Sequence, residues 1–418
     1  MAIVISDVSN ALKKVILPYI QDNYTKNHLL LDQIRKDADV QFLNNNFYAP
    51  VRSSRHGGVV NLANDGSKLV SSKSSIGQPY IGVKIITGTF DISKLTLDAT
   101  KTKEGAVENQ LSFQAKTLTS DFSKDLNRQY YSDGLGVLSQ VSSSAAATSV
   151  VLMLPNATGA GTNDTRLLDV HGTVNGDISP TDYIFAGNAL SFGSVGTAIG
   201  TVSSTGSDGT VNMTATLNAL VAGSLAVYRV DGDTANNGTA EIHGIRDALS
   251  SSTGTSQYAT YARSNPGWTP QIGTTSEVLT LSAMQLKYLN AKKWAQPGDR
   301  YAIFTNLSLY NKYGNILTAL RRIVNETDLL GGWTGLEFAA GAGKVGVFLD
   351  YDVPDGEVEI INLDSWTVCQ VSDLDWMEDT NALVRKVDYL TYQATMVWFM
   401  NLLCRCPAAN GRLTQKTD

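Results

Sequence analysis

One apolar stripe constrains this chain more than any other feature. Leu111, Ala115, Leu118, Phe122, Leu126 and Tyr130 recur at i, i+4, i+7, i+11, i+15 and i+19 within residues Glu104–Tyr131. That spacing lines one face of an α-helix, while Lys116, Asp121, Lys124, Asp125 and Arg128 fall on the opposite face. Asp133-Gly134 then supplies a glycine that can adopt the left-handed conformation closing a helix. At 1.5 Å per residue the helix is roughly 40 Å long. A helix of that length acts as a spine and needs a sheet beneath it. Leu111, Ala115, Leu118, Phe122 and Leu126 are therefore the expected core contacts.

Upstream of the spine the text is different. Residues 9–36 read as helical, through Leu12, Val15, Ile16, Tyr19 and Ile20 and then a second run His28–Arg35. Asn44, Asn45 and Asn46 break that pattern, and Pro50 forbids its continuation. From Val51 to about Gln78, serines, glycines and asparagines surround only short apolar pieces, Val59-Val60 and Leu69-Val70. Asn64-Asp65-Gly66 is a hairpin-turn signal. Tyr80–Leu97 is rich in β-branched residues and reads as strand. Residues 50–97 thus read as a long two-stranded arm with a polar tip, lacking the apolar content to bury a core alone. Arg52, Arg55, His56, Lys68 and Lys73 make the tip basic on a chain whose net charge is −6. They fit either a contact with an acidic neighbouring surface or a solvated loop.

Downstream of the spine, no lysine occurs between Lys124 and Lys287. Within residues 139–240, short strands (Ser149–Leu154, Tyr183–Phe185, Val211–Leu217, Leu225–Val230) alternate with Gly/Ser/Asn/Asp turns. This is the text of a β-sandwich or barrel. Because helical, charged sequence resumes at Ile242, the segment reads as an insertion domain. Residues 241–383 are mixed: helices at Ser282–Lys293 and Leu307–Ile323, strands at Tyr301–Thr305, Val345–Leu349 and Val358–Leu363. In residues 384–418 the apolar run TMVWFMNLLC must be buried, and Pro407 stops it.

A search for chemistry returns little. Four isolated histidines and the absence of any Cys-x-x-Cys or His-Glu-x-x-His leave no metal motif. Cys404 and Cys406 read as small core residues. Gly341-Ala342-Gly343-Lys344-Val345-Gly346 matches the dinucleotide fingerprint by letter, but the glycines lead into a strand and not into a helix N-terminus, so it reads as a turn. Acids cluster at Asp350, Asp352, Asp355, Glu357 and Glu359; with Asp355-Gly356 as a hairpin turn they are expected to alternate outward. No catalytic residue, cofactor site or metal site is expected. The net negative charge argues against dominant nucleic-acid binding. Three scattered cysteines indicate folding in a reducing cytoplasm. The opening MAIVISDVSNALKK does not read as a signal peptide, and no apolar run is long enough to span a bilayer.

The order of parts is what carries a resemblance. An N-terminal segment (1–49), an extended arm (50–97), a region with a spine helix (98–138), a mixed block (241–383) and C-terminal strands (384–418) follow one another. The chain ends in Cys406-Pro407-Ala408-Ala409-Asn410-Gly411-Arg412-Leu413 and a short tail. This succession resembles the α+β major capsid fold of tailed bacteriophages, the Hong Kong phage-type coat fold. Its parts are an N-arm, an E-loop, a P-domain with the spine helix and an A-domain, here with an inserted β-rich domain at 139–240.

The resemblance implies a non-enzymatic coat protein. It would self-assemble as hexamers and pentamers into an icosahedral head around double-stranded DNA, which it would meet on its inner face without sequence specificity. The implied partners are further copies of the chain, a portal, a separate scaffolding protein and decoration proteins, with no membrane. Assembly is expected in the host bacterial cytoplasm, with the virion capsid as the final location. Some relatives cross-link an E-loop lysine to a neighbour's asparagine; Lys68 and Lys73 lie in the arm, but no asparagine or acid here matches that chemistry. Two other readings stand beside it: a tail-tube or decoration subunit, and a soluble α/β enzyme with a β-insertion.

Overall fold

The computed structural model describes residues 30, 33–37, 40–61, 71–94, 104–134, 137–141, 147–153, 183–188, 202–205, 210–217, 225–229, 241–250, 256–319, 326–329, 333–340, 343–377, 384–386 and 389–417. Two sheets and one long helix organise them. The first sheet is built on Thr391–Cys404, a 14-residue strand. Along one side it pairs antiparallel with Lys84–Ser93, in register from Thr391↔Ser93 to Met400↔Lys84. Along its other side run Trp366–Gln370, Asp375–Trp376 and Val384–Arg385. Burial alternates from Tyr392 to Trp398 and becomes continuous from Met400 onward, where both faces are covered. The TMVWFMNLLC run is buried as its composition requires.

The spine helix spans Glu104–Tyr131 and lies against Lys84–Ser93. Ala115, Phe122, Leu126 and Tyr130 are buried in the same core as Met396 and Trp398, and Leu118 packs on its edge. Gly88 permits this approach: a Cβ there would lie 3.1 Å from Leu118 Cδ1. The Leu111 side chain lies outside the described ones. One part of the opposite face departs from expectation. Arg128 is buried, because the last turns of the helix enter the protein and are covered all round.

The second sheet has seven strands, in the order Gln271–Gly273, Gly411–Leu413, Val358–Asn362, Tyr301–Thr305, Gly343–Leu349, Trp333–Ala340, Glu326–Leu329. Tyr301–Thr305 and Val358–Asn362 are buried at every position. Helices Leu281–Lys292 and Leu307–Ala319 cover one face through Met284, Tyr288, Leu309, Tyr313 and Leu317. Thr280 caps the first of these by accepting from Ala283 N–H. The other face, with Phe304, Phe348 and Ile361, shares its core with the spine helix. Tyr131 reaches across to Phe304, with ring centroids 6.2 Å apart. Ala340 pairs with Gly343 (φ +131°), so the described end of the glycine-rich run opens a strand and not a helix; positions 341 and 342 lie outside the described residues.

Between the helix and this sheet the chain departs at Gly134 and returns at Glu241. The described strands between those points form one antiparallel path: Tyr183–Asn188, Leu225–Arg229, Val137–Val141, Ala147–Met153, Thr210–Leu217, Val202–Thr205. A clasp closes its base. Arg246 N–H donates to Ser132 C=O at 3.2 Å, and Arg128 ion-pairs with Glu241. Gly244 sits so close that a Cβ would lie 2.4 Å from the carbonyls of Gln129 and Ser132.

The N-terminal reading needs a correction. The helix expected over residues 9–36 lies outside the described residues as far as position 29, and its last part is not helical. Arg35–Asp37 is a strand, parallel to Thr367–Cys369; pairing with an open sheet edge overrides the local helical pattern. The asparagines act as a turn and not only as a break. Asn44 and Asn45 adopt φ of 51° and 60° and join the hairpin Gln41–Leu43 to Asn46–Tyr48.

Replacing Phe122 with alanine should cost about 3–5 kcal/mol through the cavity left in the shared core. Lys124 forms only an exposed pair with Asp121, so Lys124→Ala should stay within about 0.5 kcal/mol. Denaturant titration of the two variants checks the contrast.

Candidate functional site

The arm begins where Val51–Arg52 pairs with Ile76–Gly77. Serines lace the two strands: Ser53 Oγ and Ser54 Oγ lie 2.7 and 2.8 Å from Ser75 Oγ, and Ser53 N–H donates to Ser75 C=O at 2.9 Å. At the base, Gly77 lies under the Tyr261 ring, with no space for a Cβ. None of the described residues between Val51 and Ile76 is buried. Val59 and Ile76 are among the most exposed large apolar side chains, at 70% and 72%, and Val60 is also exposed, at 46%. Arg52, Arg55, His56 and Lys73 are all exposed on this arm; Lys68 and the expected turn at 64–66 lie outside the described residues. The arm is shorter than the 50–97 expected. Lys84–Ser93 belongs to the body, because it pairs along its whole length with Thr391–Met400 of the same chain.

A second apolar surface lies on the body. Ile85 and Phe399 are cross-strand partners on the sheet face away from the spine helix. Val371 N–H donates to Phe399 C=O at 3.0 Å, which places a third exposed apolar side chain beside them.

The sequence reading misplaced the acids. Asp350, Asp355, Glu357 and Glu359 are buried and do not alternate outward. The physical reason is a set of inward-facing donors from distant segments. Arg412, in the terminal CPAANGRL run, donates to both oxygens of Glu357 at 2.5 and 3.1 Å and lies 3.2 Å from Glu359. Arg246 stands 3.7 Å from Glu357. Burial raises the Glu357 carboxyl, but Arg412 and then Arg246 outweigh it and hold the group below its usual range. Burial dominates at Glu359, and the charge of Glu357 adds to it; its carboxyl is pushed up to about 8 although Arg412 pulls the other way. Glu357 is the charged partner, and Glu359 holds a proton near neutrality.

Asn410 is a further residue that sequence reasoning missed. Fully buried, it accepts from Asn362 N–H and Trp366 Nε1–H at 2.8 and 3.0 Å and donates to Ser365 Oγ and Cys406 C=O at 2.9 and 3.0 Å. It binds the chain end to both sheets. Cys404 is fully buried and Cys406 partly buried, with both thiols raised mainly by burial. Among the described residues no three His, Cys, Asp or Glu gather at metal-binding spacing, and no helix is long and apolar enough to cross a membrane.

No family model matches the sequence, and no curated protein does. Solved structures do match. One is a chain of the cyanophage A-1(L) capsid asymmetric unit, with a TM-score of 0.50 and 12% identity over 92% of this chain and 91% of that one. The chain has the tailed-phage major capsid fold. A virus-like particle from Pyrococcus furiosus is also similar, at 10% identity and a TM-score of 0.41, covering 96% and 99% of the two chains. In this capsid fold the spine helix and the strand Thr391–Cys404 share one core, beside which Val51–Arg52 pairs with Ile76–Gly77.

The Glu359 proton is held more tightly in the folded chain than in the unfolded one, where a glutamate ionises near pH ~4.3. Folding stability should therefore be highest at low pH for this group and be lost as pH rises toward about 8. Over pH 6 to 9 the loss should be on the order of 2 kcal/mol, and Glu359→Gln should flatten the slope. Chemical denaturation across that range reads the effect; an unchanged slope in the variant would count against a protonated Glu359.

Proposed function

We propose that this chain is a major capsid protein, which assembles as hexamers and pentamers into the icosahedral head of a tailed phage. The arm carries the reading. It is paired at its base, and none of its described residues between Val51 and Ile76 is buried. Exposing Val59, Val60 and Ile76 to water opposes folding unless another surface covers them. The apolar group Ile85, Val371 and Phe399 on a second copy is a matching surface, and the contact is head-to-tail, the kind that closes rings.

Arg52, Arg55, His56, Lys68 and Lys73 would make the polar part of that contact with a net acidic neighbour, steering association more than strengthening it. Residues 139–240 would form an autonomous β-domain on the outer surface, held at its base by the Arg128–Glu241 clasp. Packaged double-stranded DNA would meet the inner face without sequence readout. Portal, scaffolding and decoration proteins are the further partners, and assembly would take place in the bacterial cytoplasm. The protein would act as a structural subunit and not as an enzyme.

Deleting residues 55–72 should leave a soluble monomer with an unchanged melting temperature that forms no rings or shells. Negative-stain microscopy and sedimentation of the intact and deleted chains decide it. Tubes formed by the intact chain would indicate a tail subunit, and an unfolded deletion variant would make the arm part of the core.

A further inference from the structure

We propose, on the strength of the capsid reading, that the exposed face of the first sheet recognises the arm of a second copy by charge. Asp373 and Asp375 of one copy pair with Arg55 and Lys73 of the next.

The chain separates its charges along the sequence. Residues 40–90 contain Arg52, Arg55, Lys68, Lys73 and Lys84 against a single acid, Asp65. Residues 345–384 contain no lysine or arginine, and Asp373, Asp375, Glu378 and Asp379 crowd into 371–379. The last two acids lie outside the described residues.

The fold sets the described acids beside exposed apolar side chains. Ile85 and Phe399 are cross-strand partners, 58% and 37% exposed. Asp375 stands opposite Val397, which shares the face of Phe399 because Met396, Trp398 and Met400 alternate to the buried side. Asp375 is therefore one diagonal step from Phe399, roughly 7–8 Å across the sheet. Gln370 Nε2–H donates to Asp373 Oδ1 at 2.9 Å, and Trp376 N–H to Asp375 Oδ1 at 2.7 Å. Both aspartates are held in place and remain exposed.

On the arm the same pairing recurs with the opposite sign. Arg52 stands opposite the exposed Ile76. Farther out, Ser53 N–H donates to Ser75 C=O at 2.9 Å, and a Cβ on Gly57 would lie 2.7 Å from Ser72 Oγ. Between those points the antiparallel legs bring Arg55 level with Lys73. Like charges opposite each other weaken a two-stranded ribbon, and residues 51–61 and 71–77 hold no acid to separate them. Carboxylates on the surface that covers the ribbon would offset that repulsion. Arg55 and Lys73 are exposed in the single chain, so the acids that meet them belong to another copy. Apolar contact then holds the arm, and charge selects its register.

The test reverses charge on each side in the full-length protein. One variant carries Arg55→Glu with Lys73→Glu, another Asp373→Lys with Asp375→Lys, and a third all four changes. All four positions are exposed, so circular dichroism and melting temperature should match the intact chain. Sedimentation and negative-stain microscopy then count rings and shells. Each double variant should yield at least tenfold fewer particles, because like charges now face each other across the contact. The quadruple variant should recover most of the yield, which loss of a merely structural role would not allow. Undiminished particles from either double variant would overturn the pairing and assign those charges to solvent or to another partner, such as nucleic-acid phosphate. A quadruple variant no better than the doubles would also overturn it; both results leave the capsid reading standing. Absence of particles from the intact chain would remove that reading, and the pairing with it.

Discussion

The rest of the structure depends on the burial of the last turns of the spine helix between two sheets. Leu126 and Tyr130 close the core built on Thr391–Cys404, while Tyr131 packs on Phe304 of the second sheet. Because the helix is continuous, the position of one sheet is transmitted to the other through a rigid rod. A subunit that must make the same contacts in many places needs such a body, since variation in shape then falls on its arms. The geometry is demanding at Gly244, where backbone carbonyls approach too closely for any side chain, and tight at Gly88, where a Cβ would press on the Leu118 side chain.

That junction is unusually polar for a core. Arg128 pairs with Glu241 and Asp125, and Arg412 with Glu357 and Glu359, while Asp350 is shared by Asn127 and Tyr131. Desolvating such groups costs most of what their attraction returns, so apolar side chains would serve stability as well. They would not serve position equally well. An apolar contact tolerates sliding, whereas the two hydrogen bonds from Arg412 to Glu357 admit one placement of the chain end. The network also makes the junction sensitive to pH, because Glu359 keeps its proton only while buried.

Much of the architecture was legible in local pattern. The spine helix occupies the residues its stripe indicated, the strands Tyr301–Thr305 and Val358–Asn362 stand within one residue of their expected bounds, and the glycines of the fingerprint lead into a strand and not a helix. What escaped depends on distant segments. Nothing near Arg35 announces that Thr367–Cys369 offers a free edge. Nothing near Glu357 announces that Arg412 arrives on the neighbouring strand Gly411–Leu413, so these acids were read as solvent-facing. The buried role of Asn410 was equally silent, although the CPAANGRL run had already drawn attention as part of the resemblance. For the arm, low apolar content marked a segment that cannot bury a core, but its boundary at Gly77 came from the pairing of Lys84–Ser93 with the C-terminal strand.

The central claim is that neighbouring copies cover what the arm leaves exposed. Hydrogen–deuterium exchange on free subunits and on assembled particles measures this directly. The account predicts that backbone amides of residues 55–61 and 71–74 exchange rapidly in the free subunit and at least tenfold more slowly after assembly, while the sheet amides around Ile85 and Phe399, already slow, gain further protection. Equal exchange of the arm in both states would contradict it.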